Sequence, residues 1–166
     1  MNRKRVILLA SITVFIFAPT YVSAKAAAAY GTLKVKLNYR GAGIVDEKHK
    51  IYVLLFDANP YTATRLVDST SDATPPAPAA GVAHILRRQG ASVKNEAVAF
   101  KHLSVSPVYA SAFFDKSGSY DGVSGPVSGS PMGVYGNAPD KAEPITLKEG
   151  KTVEVVLGFD DSTRIP

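Results

Sequence analysis

The 166-residue chain contains no cysteine. Disulfides, thiolate metal sites and cysteine nucleophiles are therefore excluded, and the fold must rest on a hydrophobic core. Nor does the chain hold an apolar run of the roughly 20 residues that a membrane-spanning helix takes; its main run, at 6–18, is shorter. No Gly-x-Ser-x-Gly elbow precedes a helix. The three histidines, His49, His84 and His102, show no metal-ligand spacing. Gly41 and Gly43 lack a third glycine and a following helix, so they read as turn chemistry and not as a nucleotide fingerprint. No internal repeat and no convincing amphipathic helix is visible. Carboxylate pairs stand at Asp46-Glu47 and Asp160-Asp161, but neighbours on a strand point to opposite faces and make no acid/base couple.

What is present begins with a leader. Arg3, Lys4 and Arg5 precede the apolar run, Pro19 breaks it, and Val22-Ser23-Ala24 supplies the small residues of a cleavage site. The expectation is a signal peptide over 1–24, a flexible tail over 25–29, and a periplasmic or secreted protein with no membrane insertion after cleavage. The charge reading changes with it. The 19 Lys+Arg fall to 16 without those three cations, against 14 Asp+Glu, so the exported part is near neutral. Its longest basic cluster is Arg87-Arg88, too little for a nucleic-acid-binding face.

The remainder fits one domain, 30–166, large enough for its own core. "TLKVKLNY" (32–39) alternates, with Leu33, Val35, Leu37 and Tyr39 on one face, and "TVEVVLGF" (152–159) does the same. "KIYVLLF" (50–56) is continuously apolar, as suits a strand covered on both faces. Further strands are expected in "TATRLVDS", "VAHILRR", "AVAFKHL" and "VYASAFF", while the Pro-rich stretch at 73–81 cannot join a sheet. About seven short strands with Gly/Pro turns imply an all-β, antiparallel β-sandwich. A long Gly/Ser/Pro loop is expected at 116–151, both capping one end and binding. Tyr120, Met132 and Tyr135 are its candidate contacts.

The turn "DKSGSYD" places Asp115, Ser117, Ser119 and Asp121 at alternate positions, like the first half of a calcium loop. The sixth position should be glycine and is Tyr120, and the twelfth should be glutamate and is Pro126. Additional ligands would have to come from Asp57 and Asn59, which requires the strands ending at 56 and 114 to run in the same direction. A hairpin between 108–114 and 152–159 would leave Asp160 at the opposite end from Asp115. The competing reading, that the two aspartates cap backbone N–H groups, is favoured.

The order "VYASAFFD", Asp/Ser/Gly turn, "SGSPMGVYG", "PITLKEGKTVEVVLGFDD" resembles small exported bacterial β-sandwich proteins of transthyretin-like or carboxypeptidase-regulatory-like type. In such proteins the turn usually reads Asp-x-Asn-x-Asn-Gly, whereas Ser117 and Ser119 stand here. The resemblance implies a transthyretin-like or immunoglobulin-like sandwich. Three functions follow for testing. The first is a non-catalytic binding or accessory domain, expected to be a monomer by its outward lysines on 32–39, for a protein, a cell-envelope glycan or a small ligand. The second is a calcium-stabilised version of that domain. The third is a transthyretin-like hydrolase, for which His84, Arg87 and Arg88 are the one local cluster.

Overall fold

The computed structural model describes residues 30–71, 76–138 and 141–166; the expected leader and tail lie outside them. Eight strands form: β1 (Gly31–Tyr39), β2 (Ile51–Phe56), β3 (Arg65–Asp68), β4 (Val82–Ala91), β5 (Ala97–Leu103), β6 (Tyr109–Phe114), β7 (Met132–Val134) and β8 (Lys151–Phe159). They make a three-stranded sheet, β5-β1-β8, packed on a five-stranded one, β3-β4-β2-β6-β7. No α-helix occurs among the described residues. The protein is a β-sandwich.

The alternating strands behave as their pattern requires. In β1, Leu33, Val35, Leu37 and Tyr39 face the other sheet, and Val155, Leu157 and Phe159 of β8 join them. The outward Lys34 and Lys36 meet Glu154 across the β1–β8 pair; being exposed, that network contributes little. Strand β2 is central: Ile51, Val53 and Leu55 enter the main core, while Leu54 and Phe56 enter a second cluster on the outer face. Full burial of each such aliphatic side chain stabilises by about 1.5–3 kcal/mol.

Three expectations are corrected. The sandwich is not wholly antiparallel, since β1–β8 and β3–β4 run parallel. Strand β8 forms no hairpin with β6 but lies in the other sheet, and Asp161 lines the same hollow as Phe114 and Lys116. It therefore shares an end with Asp115. The 116–151 loop is also interrupted, because β7 pairs with β6 through Ser111↔Val134 and Phe113↔Met132.

At that shared end Tyr39 packs on Phe159 and Phe114, with ring centroids 4.8 and 5.3 Å away. Its hydroxyl donates to Asp161 Oδ1 at 2.6 Å, and the Ala42 N–H donates to Oδ2. Burial, with the Asp161 bond adding to it, pushes the Tyr39 phenol up to about 12. The bonds from Tyr39 and Ala42 hold the Asp161 carboxyl below its usual value. A lowered carboxyl contributes stability above its unfolded pKa and loses it as pH falls through the folded one. The raised phenol contributes below its unfolded value and loses it as pH rises toward 12. Tyr39→Phe is accordingly expected to lower Tm between about pH 5 and 9, with the gap narrowing as pH drops below about 4. Melts across pH check this, and a gap constant down to acid pH would refute the coupling.

Candidate functional site

The outer face of the five-stranded sheet is where the structure departs most from a plain sandwich. A cavity of about 450 Å³ opens there, floored by Leu54 and Phe56 of β2, Ile85 of β4 and Phe113 of β6. Leu66 on the edge strand β3 and the 123–126 segment form its rim, and Ile165 closes one side. Its size and largely apolar lining with a few polar groups are those of a small-ligand pocket.

Local chain geometry decides which polar groups enter. In β4 the register slips by one residue, so that Leu55 pairs with Arg87 and Phe56 with Ile85, leaving Leu86 as a bulge. Strict alternation from the outward Ile85 would turn Arg87 outward and Arg88 inward. The bulge reverses the phase, and Arg88 stands opposite the outward Leu54. Its Nη2 donates to Asp68 Oδ2 at 2.6 Å, and its guanidinium lies 5.6 Å from the centroid of the Tyr120 ring. Arg88 Nε is buried and has no hydrogen-bond partner among the described residues. Desolvation opposes ionisation of Asp68, but bonds from Thr70 and Arg88 outweigh it and hold the carboxyl below its ordinary value.

Two tyrosines complete the walls. Tyr120 meets Tyr52 and Phe113 edge-on, with centroids 4.6 and 4.8 Å away, and burial raises its phenol despite the adjacent Arg88. Tyr61 is partly exposed, and desolvation by burial pushes its phenol up to about 12 against the lowering effect of the Ser111 hydroxyl. Ser111 itself is 5 % exposed.

Asp115 holds Tyr120 in place. This carboxylate is 2 % exposed. Its Oδ1 accepts from the Ser117 and Gly118 N–H groups and the Ser117 hydroxyl, and its Oδ2 accepts from the Tyr120 N–H at 2.8 Å. Ser117 Oγ continues to Ser119 Oγ. Asp121 is exposed and accepts from the Val123 and Ser124 N–H groups, bonds that hold its carboxyl below the usual value. Both aspartates serve the loop's own backbone.

The other expected residues are dispersed. Strands β2 and β6 are antiparallel, with Ile51↔Phe114 and Phe56↔Tyr109 paired. Asp57 and Asp115 consequently lie at opposite ends of β2, about 20 Å apart at ~3.3 Å per residue. The expected convergence of Asp57 and Asn59 on the Asp115 loop is thus corrected. Asp57 instead binds His84, through Nδ1 at 2.6 Å and the backbone N–H at 2.7 Å, and Asn59 caps the Tyr61 N–H. Among the described residues no group of three or more His, Asp or Glu is arranged to hold a metal. His84, Arg87 and Arg88 do not converge, since the Arg87 guanidinium turns to the Leu86 carbonyl. Of the expected contacts, Tyr120 lines the cavity, Met132 is 3 % exposed within the second cluster, and Tyr135 packs half-buried against the main core. Sequence reading missed Asp68, Ser111 and Tyr61. Only Asp68 carried a signal, as a carboxylate closing an expected strand.

Comparison with family models, curated proteins and solved structures found no match.

Proposed function

We propose that the protein is an exported, non-catalytic binding domain that takes the apolar part of a small ligand into the cavity on its outer sheet face. The leader-like 1–24 segment and the resemblance to small exported sandwiches support export. The observation that carries binding is the cavity itself: an outer sheet face lined by Leu54, Phe56 and Phe113 that the 120–126 segment roofs but does not fill. A packed core leaves few voids larger than a water, so an apolar volume of this size accommodates an occupant. Catalysis has no support here, because the acid and base on the cavity wall, Asp68 and Arg88, are closed on each other at 2.6 Å.

The test uses toluene as probe, followed by protein NMR. Toluene is expected to shift resonances of Leu54, Phe113 and Tyr120 saturably, with a Kd in the millimolar range suited to a ligand of few atoms. Ser111→Leu, which fills the floor, should abolish those shifts while the melt stays cooperative. Shifts that never saturate, or that survive in the folded variant, would refute the reading.

A further inference from the structure

We infer that the cavity selects an uncharged amide attached to an apolar body, in preference to the matching carboxylate or ammonium. This deepens the binding reading above and rests on it. Among the described residues, the one charged pair on the cavity wall is Arg88–Asp68, closed at 2.6 Å. Its charges cancel, so the site offers no net attraction to an ion. A carboxylate approaching Arg88 meets the Asp68 oxygen that already occupies Nη2, and an ammonium approaching Asp68 meets the guanidinium. Either ion would also be stripped of water against Leu54 and Phe113, a large cost without a dedicated counter-charge.

A neutral amide suffers neither penalty and matches what the wall lacks and offers. Its carbonyl is an acceptor, and Arg88 on the cavity wall brings five N–H donors, of which Nη2 already serves Asp68. Its NH2 or N–H is a donor, and Asp68, with a side chain 42 % exposed, has lone pairs to spare. The Tyr120 ring beneath the guanidinium fixes the plane of that donor array. A site whose buried polar groups expect hydrogen bonds rejects analogues that leave them unmet.

Hexanamide, hexanoate and hexylammonium share a body and differ in head, and titration of the full chain with each, followed by NMR, tests the inference. Hexanamide is expected to bind at least about tenfold more tightly than either ion. Asp68→Asn keeps the side-chain shape and frees the Arg88 charge, so in that variant hexanoate should overtake hexanamide. N-acetylleucinamide separates two sources of the same chemistry: tighter than hexanamide indicates a peptide residue, weaker a free small amide, and both sustain the inference. Hexanoate equal to or tighter than hexanamide in the unmodified protein overturns it while toluene binding leaves the cavity reading standing. If neither toluene nor any of these probes binds, both readings fall. Should Asp68→Asn not fold, the three-probe comparison in the unmodified protein decides alone.

Discussion

Asp115→Ala is expected to lower the stability of the fold by about 3–5 kcal/mol, a fall in Tm on the order of 10 °C. The buried carboxylate accepts three backbone N–H groups and one hydroxyl within its own turn. Alanine removes the side-chain acceptor of the Ser117 and Tyr120 N–H groups, whereas the Gly118 N–H keeps the residue-115 carbonyl and the Ser117 hydroxyl keeps Ser119. Each unmet buried group costs about 1–3 kcal/mol, and local unfolding of the turn relieves only part of that. Asp115→Asn separates charge from shape. Whichever way its amide turns, an NH2 faces either the Tyr120 N–H or the Ser117 and Gly118 donors, so a large share of the loss remains. The exposed Asp121→Ala should leave Tm nearly unchanged. The Asp115 variants should also weaken toluene binding, because the Tyr120 N–H anchor positions the ring that roofs the cavity. Calcium in excess should not move the Tm, as both Asp115 oxygens are already engaged by protein donors. Chemical denaturation of the variants checks the first claim, and a loss below about 1 kcal/mol for Asp115→Ala would refute it.

Gly133→Val is expected to cost about 3 kcal/mol or more through overpacking. Gly133 is the middle residue of β7, and a Cβ there would overlap the Cβ of Phe159, where the five-stranded sheet edge closes onto β8. Neither neighbour can retreat cheaply. Phe159 is held between the β1–β8 ladder and the Tyr39 ring. On the other side, β7 is fixed to β6 and to the C-terminal residues through Met132 N–H to the Thr163 carbonyl. The same tail segment carries Ile165 to the cavity wall, so the variant should loosen the cavity as well as the fold. Gly125→Ala, where an added Cβ meets nothing within 4 Å, is the control and should melt as the unmodified protein does. Equal stability of the two variants would show that β7 does not close the sandwich.

The elements that could be read in advance are those whose pattern is local. Leu33-Lys34-Val35-Lys36-Leu37 has the two-residue period of a half-buried strand, and burial follows it residue by residue. The unbroken Ile51–Phe56 run required cover on both faces and has it, one face in each cluster. The Asp-Lys-Ser-Gly-Ser turn likewise closes on itself, because an aspartate carboxylate reaches N–H groups two, three and five residues ahead.

The site was not legible in this way. Met132-Gly133-Val134 is too short to show any period, and it became a strand because β6 presented an open edge beside it. Antiparallel order was expected for β8, yet its long connection allows a parallel partner, and β1 supplied one. Arg88 faces the cavity owing to a single bulge at Leu86, which shifts the side-chain phase by one residue. Its partner Asp68 lies 20 residues earlier, across a parallel pair. The amino-acid order by itself determined the class of fold, the faces of the long strands and the self-capped turn, since neighbours along the chain create those patterns. Tertiary structure alone decided which strands met and where the cavity opened, because both depend on register between segments far apart in sequence, and register is set only when the whole core packs.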